Sequence, residues 1–365
     1  MDDAVWMTRA LALAVRGRGL TSPNPMVGAL VVRDGAVLAE RFHERAGGPH
    51  AEAACLADAG ERARGSTVYV TLEPCNHVGR TPPCVEAIIL AGVRRVVAAV
   101  RDPNPRVTGG GAAALAAAGI EVTLGCLERE AREVNRVFFT VMERQRPHVT
   151  LKWAMTLDGK IAAFDRTSRW ITGEVARREA HRLRSQSDAI VTGIGTVLTD
   201  DPALTVRLDR PWPREPYRVV VDGHARLPHD AALLETGTRA RVLVAVGEDA
   251  PAPRVAALAS LGVTVLQCKS RDGRVDVADL CARLLSMEIT AVLLEAGSEL
   301  TGAFVQAGLA DRVAVFIAPK LVGGATAPSP AAGAGLPLEH ALHLTDLTVR
   351  PLGHDWLLEA TVAHD

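Results

Sequence analysis

Cysteine is scarce, with six in 365 residues. That is too few for a disulfide scaffold, so closely placed cysteines point to metal ligation or catalysis. Net charge is almost absent: Lys+Arg is 41 against Asp+Glu 42. This balance excludes a generic nucleic-acid binder and a polybasic membrane-surface protein. No uncharged apolar run reaches the ~20 residues of a bilayer span. The opening Met1-Asp2-Asp3 is acidic where an export signal is basic, so a cytoplasmic chain is expected. Internal repeats, coiled-coil heptads and low-complexity tails are missing too. What remains is an ordinary globular composition, 48% hydrophobic and 23% charged. At roughly 150 residues per domain, the length predicts two domains or three.

The first ~145 residues alternate helix and strand signals. A helix is predicted over residues 3–16, with Trp6, Met7, Ala10, Leu11 and Ala14 on one face. Strands 27–32 and 36–42 flank Asp34-Gly35, a primed hairpin turn. Further helices are predicted at 51–62, from Pro82-Pro83 through Leu90, at 111–118 and at 127–144. Further strands are predicted at 67–72, 95–100 and 120–124. Arg144-Gln145-Arg146-Pro147 marks the boundary, because proline cannot continue the preceding helix. The domains predicted are therefore 1–145 and 147–365. The second also reads as α/β. Its strands start at 148, 189, 217, 242, 263, 291 and 313, and a closing antiparallel pair spans 344–349 and 356–362. Helices at 174–185, 253–261, 277–287 and 299–308 fall between them.

The strongest chemical signal is His50-Ala51-Glu52, then Pro74-Cys75, then Cys84. One imidazole and two thiolates supply three zinc ligands and leave a fourth position for water. Glu52 stands two residues after His50 at a helix start, placed to move protons without ligating the metal. A structural zinc site would need a fourth protein ligand, and His77 is the nearby competitor. His-x-Glu, a strand, then Pro-Cys and a second Cys is the pattern of zinc-dependent base deaminases. Eight residues, 76 to 83, separate the two cysteines here instead of the usual two. That insertion carries polar groups suited to a polar, phosphorylated substrate.

The stretch Thr71-Leu72-Glu73-Pro74-Cys75-Asn76-His77-Val78-Gly79-Arg80-Thr81-Pro82-Pro83-Cys84 resembles the zinc motif of the bifunctional RibD family of riboflavin biosynthesis. So do Pro23-Asn24-Pro25 and Asp102-Pro103-Asn104-Pro105. Beyond the boundary the resemblance continues through Lys152-Trp153-Ala154-Met155, Ser168-Arg169-Trp170, Gly193-Ile194-Gly195-Thr196 and Asp200-Asp201-Pro202. It implies a cytidine-deaminase-like α/β/α sandwich followed by a dihydrofolate-reductase-like α/β domain. It also implies two reactions. A zinc-dependent domain would deaminate 2,5-diamino-6-(5-phosphoribosylamino)pyrimidin-4-one, and an NADPH-dependent domain would reduce the ribosyl group of the product to ribityl.

Residue by residue, the resemblance makes Glu52 the catalytic residue and His50, Cys75 and Cys84 the zinc ligands. Asn24, His43, His77, Arg80, Asp102 and Asn104 would bind the deaminase substrate. Ala154, Trp170, Thr196, Asp200 and the loop Gly297, Ser298, Glu299, Leu300, Thr301, Gly302 and Ala303 would line the NADPH site. Ser168, Arg184, Leu204, Arg207 and Glu295 would hold the reductase substrate, with Arg184 and Arg207 as phosphate partners. Asn24 and Asn104 could instead be turn residues beside prolines, and Trp170 a core aromatic. Asp200 and Glu295 are candidate proton donors, and Lys152 stays outside the catalytic set. Val78, Gly110 and Arg166 depart from the family pattern, where histidine, a basic residue and glycine are common. The partners expected are small phosphoribosylaminopyrimidines, with no nucleic acid and no membrane, and a homo-oligomer is expected. Three rivals stay open: a deaminase with a silent second domain, a deaminase of a nucleic-acid base, and a zinc-stabilised binding module.

Overall fold

The structure is a computed structural model that describes residues 2–77, 82–105 and 110–364. The chain divides into two compact units, Met1–Gln145 and Arg146–Asp365.

In the first unit, α1 (Asp3–Ala14) starts where the Asp2 side chain accepts from the Ala4 N–H at 3.2 Å. Its expected face is buried. β1 (Gly28–Arg33) and β2 (Ala36–Phe42) form the hairpin, and Asp34 and Gly35 take φ of 54° and 75°, both positive as a primed turn requires. α2 (Ala51–Ala59), β3 (Thr67–Val70), α3 (Cys84–Leu90), β4 (Arg95–Ala98), α4 (Gly110–Ala117) and β5 (Glu121–Leu124) follow. The sheet order is β2-β1-β3-β4-β5, with β1 antiparallel to both neighbours and β3, β4 and β5 parallel. α1 lies directly on β1: a Cβ at Gly28 would stand 2.0 Å from the Ala10 carbonyl oxygen.

Two expectations need correction here. α3 starts at Cys84 with Pro83 as its N-cap, so the two prolines end the preceding loop rather than fill the first turn. The helix expected over 127–144 is two, α5 (Glu128–Val134) and α6 (Arg136–Arg144). Asn135 breaks it. The Met26 N–H donates to Asn135 Oδ1 at 2.7 Å, and Asn135 Nδ2 donates to the Met26 carbonyl at 2.9 Å. This exchange with a distant loop accompanies a backbone at φ −102°, ψ 22°, off the helical path.

The second unit runs β6 (His148–Thr156), α7 (Glu174–Ser185), β7 (Ala189–Gly193), α8 (Ile194–Asp200), β8 (Tyr217–Val221), α9 (Ala232–Glu235), β9 (Val242–Gly247) and α10 (Ala252–Ser260). It continues with β10 (Thr264–Cys268), the two-residue ribbon strands β11 (Ser270–Arg271) and β12 (Arg274–Val275), α11 (Val277–Ser286), β13 (Ala291–Leu294), α12 (Ser298–Gln306), β14 (Arg312–Ala318), β15 (Leu344–Leu352) and β16 (Asp355–Val362). Nine strands form one sheet in the order β10-β9-β8-β7-β13-β6-β14-β16-β15. From β10 to β14 every pair is parallel; the last two pairs are antiparallel. Parallel strands are covered on both faces by their crossover helices, which is why β9 and β13 are apolar and buried throughout. The short α9, β11 and β12 carry no periodicity and were not expected. No helix among the described residues is long and apolar enough to cross a membrane.

Gly28→Ala forces a methyl into the α1 backbone. It is expected to cost at least ~1–3 kcal/mol, the usual range for overpacking, and to lower the urea midpoint of the first unit. An unchanged midpoint would contradict the close approach.

Candidate functional site

In the first unit the chemistry gathers where β3 and β4 end. His50 is the N-cap of α2, Cys75 follows β3, and Cys84 opens α3. Their ligand atoms all lie within 4.8 Å of one another. His50 Nδ1 is 3.6 Å from Cys75 Sγ and 3.2 Å from Cys84 Sγ. On a zinc tetrahedron with Zn–N near 2.0 Å and Zn–S near 2.3 Å, nitrogen and sulfur stand about 3.6 Å apart. The donor set and its spacing therefore fit zinc. Hydrogen bonding with the Cys84 thiol, against the opposing effect of burial and joined by His50, pulls the Cys75 thiol well below the usual thiol range, and the Cys84 N–H donates to the Cys75 sulfur at 3.3 Å. Glu52 lies in the first turn of α2, 4% exposed, and its carboxyl faces the Cys84 thiol. Burial raises that carboxyl to about 7.

Around this cluster the expected substrate residues take different stations. His43 is buried and spends both ring nitrogens inside the protein. Nδ1 donates to the Pro49 carbonyl at 2.9 Å, leaving Nε2 to accept from Asn24 Nδ2 at 3.1 Å. Its ring meets that of His50 edge-on at 5.6 Å between centroids. Asp102 is buried after β4, its Oδ1 accepts from the Asn104 N–H at 2.8 Å, and burial raises it to about 6. His77 Nδ1 is buried with no hydrogen-bond partner among the described residues. Arg80 and Val78 lie outside the described residues. Gly110 opens α4, and its carbonyl accepts from Asn76 Nδ2 at 3.2 Å. Cys55 is a buried thiol, as expected, whereas Cys126 is only half-buried.

Glu73 was not singled out from the sequence. Its buried carboxylate accepts from the Asp102 N–H at 3.2 Å and from the Ala112 N–H at 2.9 Å. It thereby ties the Cys75 loop to the loop after β4 and to α4. The available signal was a charged residue standing between a strand and a ligand.

In the second unit a cavity of ≈ 640 Å³ opens at the carboxyl ends of the parallel strands. Thr196, Asp200, Gly297, Ser298, Glu299, Leu300 and Ala303 line it, and so does Ser168. Gly195 also lines it, and a Cβ there would meet nothing within 4 Å. Two glycine turns, one after β7 and one after β13, thus leave room for a ligand backbone to approach, which fits a dinucleotide. Four of the expected cofactor residues are not in its lining. Thr301 and Gly302 are buried behind it, and a Cβ at Gly302 would stand 1.8 Å from the Ala332 carbonyl oxygen. Ala154 packs in the core against α7. Trp170 is 61% exposed, so it is no core aromatic, and the Arg177 guanidinium stacks 4.5 Å from its ring centroid.

A buried ion cluster stands beside this cavity. Arg184 donates to Glu295 through Nε at 2.7 Å and Nη2 at 3.0 Å, and to the Thr205 carbonyl through Nη1 at 3.0 Å. Lys152 Nζ donates to the same carboxylate at 3.1 Å. Arg184 is thus already committed to a carboxylate, and Arg207 is the exposed guanidinium of the expected pair. Burial opposes ionisation of Glu295, but Arg184 and then Lys152 outweigh it and hold the group far below the ordinary carboxylate range. A carboxyl so held is no proton donor. Asp200 accepts from the Ser168 hydroxyl at 3.0 Å. Leu204 is buried at φ 50°. Arg166 takes φ 71°, so the turn keeps a glycine-like conformation although it carries a side chain.

A zinc-type deaminase centre on one α/β unit and a dinucleotide cleft on another define a two-domain deaminase–reductase. The comparisons agree. The family model described as "Cytidine and deoxycytidylate deaminase zinc-binding region" matches residues 1–100, and "RibD C-terminal domain" matches 147–358. The riboflavin biosynthesis protein RibD of Actinobacillus pleuropneumoniae is 43% identical over 99% of this chain and 96% of its own. The solved RibD of Acinetobacter baumannii is 40% identical with a TM-score of 0.89, covering 99% of each chain. A Thermotoga maritima structure described as a diaminohydroxyphosphoribosylaminopyrimidine deaminase and 5-amino-6-(5-phosphoribosylamino)uracil reductase is 35% identical with a TM-score of 0.84, again over 99% of each chain. The chain belongs to the RibD family: it is a bifunctional riboflavin biosynthesis enzyme with a zinc-binding deaminase domain and an NADPH-dependent reductase domain.

The ion cluster has a measurable signature. Arg184→Met is expected to cost on the order of 2–3 kcal/mol, below the ~3–5 of a fully stranded buried charge because Lys152 remains. Since the folded Glu295 value is depressed, its contribution is present above the unfolded value of 4.5 and is lost as pH falls below it. Urea titrations between pH 7 and 3 are expected to lose part of this acid dependence in Glu295→Gln. Identical slopes would contradict the assignment.

Proposed function

We propose that the first unit hydrolytically deaminates 2,5-diamino-6-(5-phosphoribosylamino)pyrimidin-4-one and that the second reduces the resulting 5-amino-6-(5-phosphoribosylamino)uracil to its ribityl product. The observation that carries the deaminase half is Glu52, buried beside three gathered zinc ligands without being one of them. Bound zinc supplies Lewis acidity that makes water acidic near neutral pH. Glu52 takes the proton of the attacking water and returns it to the leaving amine, which departs as ammonia. Asn24, held by His43, and Asp102 and Asn104, held through Glu73, present polar edges to the pyrimidine, with His77 beside them. His43 acts through Asn24, because both of its own nitrogens are occupied. Arg80 is assigned to the substrate phosphate on resemblance alone.

NADPH supplies the hydride in the second unit, to the sugar carbon of the ring-opened imine. Thr196, Asp200, Gly297, Ser298, Glu299, Leu300 and Ala303, which line the cavity, would hold the dinucleotide; Thr301 and Gly302 would back that turn from behind, and Ala154 and Trp170 are assigned to the cofactor on resemblance alone. Ser168, Leu204 and Arg207 hold the substrate, with Arg207 as the phosphate partner. Glu295 stays ionised, so Lys152 becomes the proton source for the imine nitrogen, and Arg184 positions the carboxylate that holds it. Cys75 and Cys84 serve the zinc as thiolates, which supports a reducing, cytoplasmic setting. The exposed apolar side chains Leu344, Leu347 and Val349 on edge strand β15 support association of like chains.

Glu52→Gln is expected to abolish ammonia release while retaining one zinc per chain by metal analysis. Equal ammonia release by variant and parent would sink the mechanism. In the other domain, NADPH absorbance is expected to fall only when the uracil compound is added. Lys152→Met is expected to cut that rate by ~10²-fold or more and leave ammonia release intact; an unchanged rate would remove Lys152 from the chemistry.

A further inference from the structure

The dinucleotide cavity has a cationic outer end that neither the reaction nor the glycine turns require. Its lining crosses the ends of four neighbouring parallel strands. It starts at Ile161 and Ser168 beyond β6, passes the turns after β13 and β7, and ends at Gly223, His224 and Arg226 beyond β8. At about 4.8 Å per strand this traverse is ~14 Å, on the scale of an extended dinucleotide. The Lys152–Glu295–Arg184 cluster lies on the β6–β13 side, so the reducing ring belongs there. The glycine turns take the diphosphate in the middle. The adenosine half then falls beyond β8.

Two features of that end concern charge. An acid at the end of such a strand can accept from a ribose 2′-hydroxyl and so favour the unphosphorylated nucleotide, whereas an arginine there accommodates a 2′-phosphate. Asp222 is that acid, but it is turned inward. It is fully buried, and its Oδ2 accepts from the Arg226 and Leu227 N–H groups, the latter at 2.8 Å. The loop it caps presents His224 and Arg226 to the cavity, and Arg274 of the β11–β12 ribbon joins them from across it. Neither arginine is tightly held. Arg226 Nε is 3.5 Å from Asp222 Oδ1, and Arg274 Nη2 is 3.5 Å from Glu299 Oε2, with the Arg274 and Glu299 side chains largely exposed.

The geometry points to Arg226 and Arg274 as the pair that recognises the adenosine 2′-phosphate and makes the reductase select NADPH over NADH. This rests on the reading of the cavity as the nicotinamide-nucleotide site. The guanidinium forks face a phosphate monoester bearing nearly two negative charges; the Asp222 carboxylate is withdrawn, and the Glu299 carboxylate that also lines the cavity stands 3.5 Å from Arg274 Nη2.

Calorimetric titration of the full chain with NADP⁺ and NAD⁺ tests this without turnover. Parent protein is expected to bind NADP⁺ at least ~10-fold more tightly than NAD⁺. In Arg226→Gln with Arg274→Gln the NADP⁺ Kd is expected to rise ~10-fold or more while the NAD⁺ Kd stays within ~2-fold, as for a lost charge-assisted contact. Arg178→Gln, which removes an exposed charge from α7, is expected to change neither value. Equal loss for both nucleotides would overturn the proposal, since the arginines would then serve a shared part of the ligand. Unchanged NADP⁺ affinity would overturn it as well. Parent protein that binds neither nucleotide would instead overturn the cavity reading itself.

Discussion

The central strands of both units are parallel and covered on both faces, so their lengths are closed to polar chemistry. Only where such a strand stops can a polar side chain reach solvent and substrate. Cys75 follows β3, Asp102 and Asn104 follow β4, and Glu295 and Gly297 follow β13. Helices complete each site from their first turns, as α2 does with His50 and Glu52 and α3 does with Cys84. The two centres differ in every residue but obey the same constraint.

Buried acids hold these loop-borne groups in place. Glu73 accepts from two backbone N–H groups on separate segments, and Asp222 does the same for its own loop. Glu295 instead gathers two cations. A buried carboxylate without partners is strongly disfavoured, so each acid holds its surroundings to the one arrangement that satisfies it. The zinc ligands are arranged in the same manner: the Cys84 N–H already points at the Cys75 sulfur. Much of the order around each site therefore resides in buried acids and the groups they gather.

Most elements were legible in the sequence because their signals are local. The Asp34-Gly35 turn, the amphipathic α1 and the all-apolar β9 and β13 each announce themselves within a few residues. Several features that the sequence does not show depend on partners elsewhere in the chain. Asn135 splits a helix because Met26, over a hundred positions away, takes its side chain. His43 reads as a polar site residue, and only the fold shows Asn24 and Pro49 at its two ring nitrogens. Arg184 reads as an unpaired cation, and only the fold shows it donating to Glu295. Lys152 stayed outside the catalytic set because its carboxylate partner, Glu295, lies 143 positions along the chain.

Residue type and close spacing were therefore enough for the His50, Cys75 and Cys84 cluster with Glu52 beside it, the two α/β units and the glycine turns, since each depends on chemistry carried by a short segment. Which charges remain available to a ligand depends on packing. A guanidinium or carboxylate in a string of letters carries no sign of whether it faces a cavity or is spent on a buried partner. Electrostatic pairing acts over a few ångströms of space, and that proximity exists only after the sheet has brought its strand ends together.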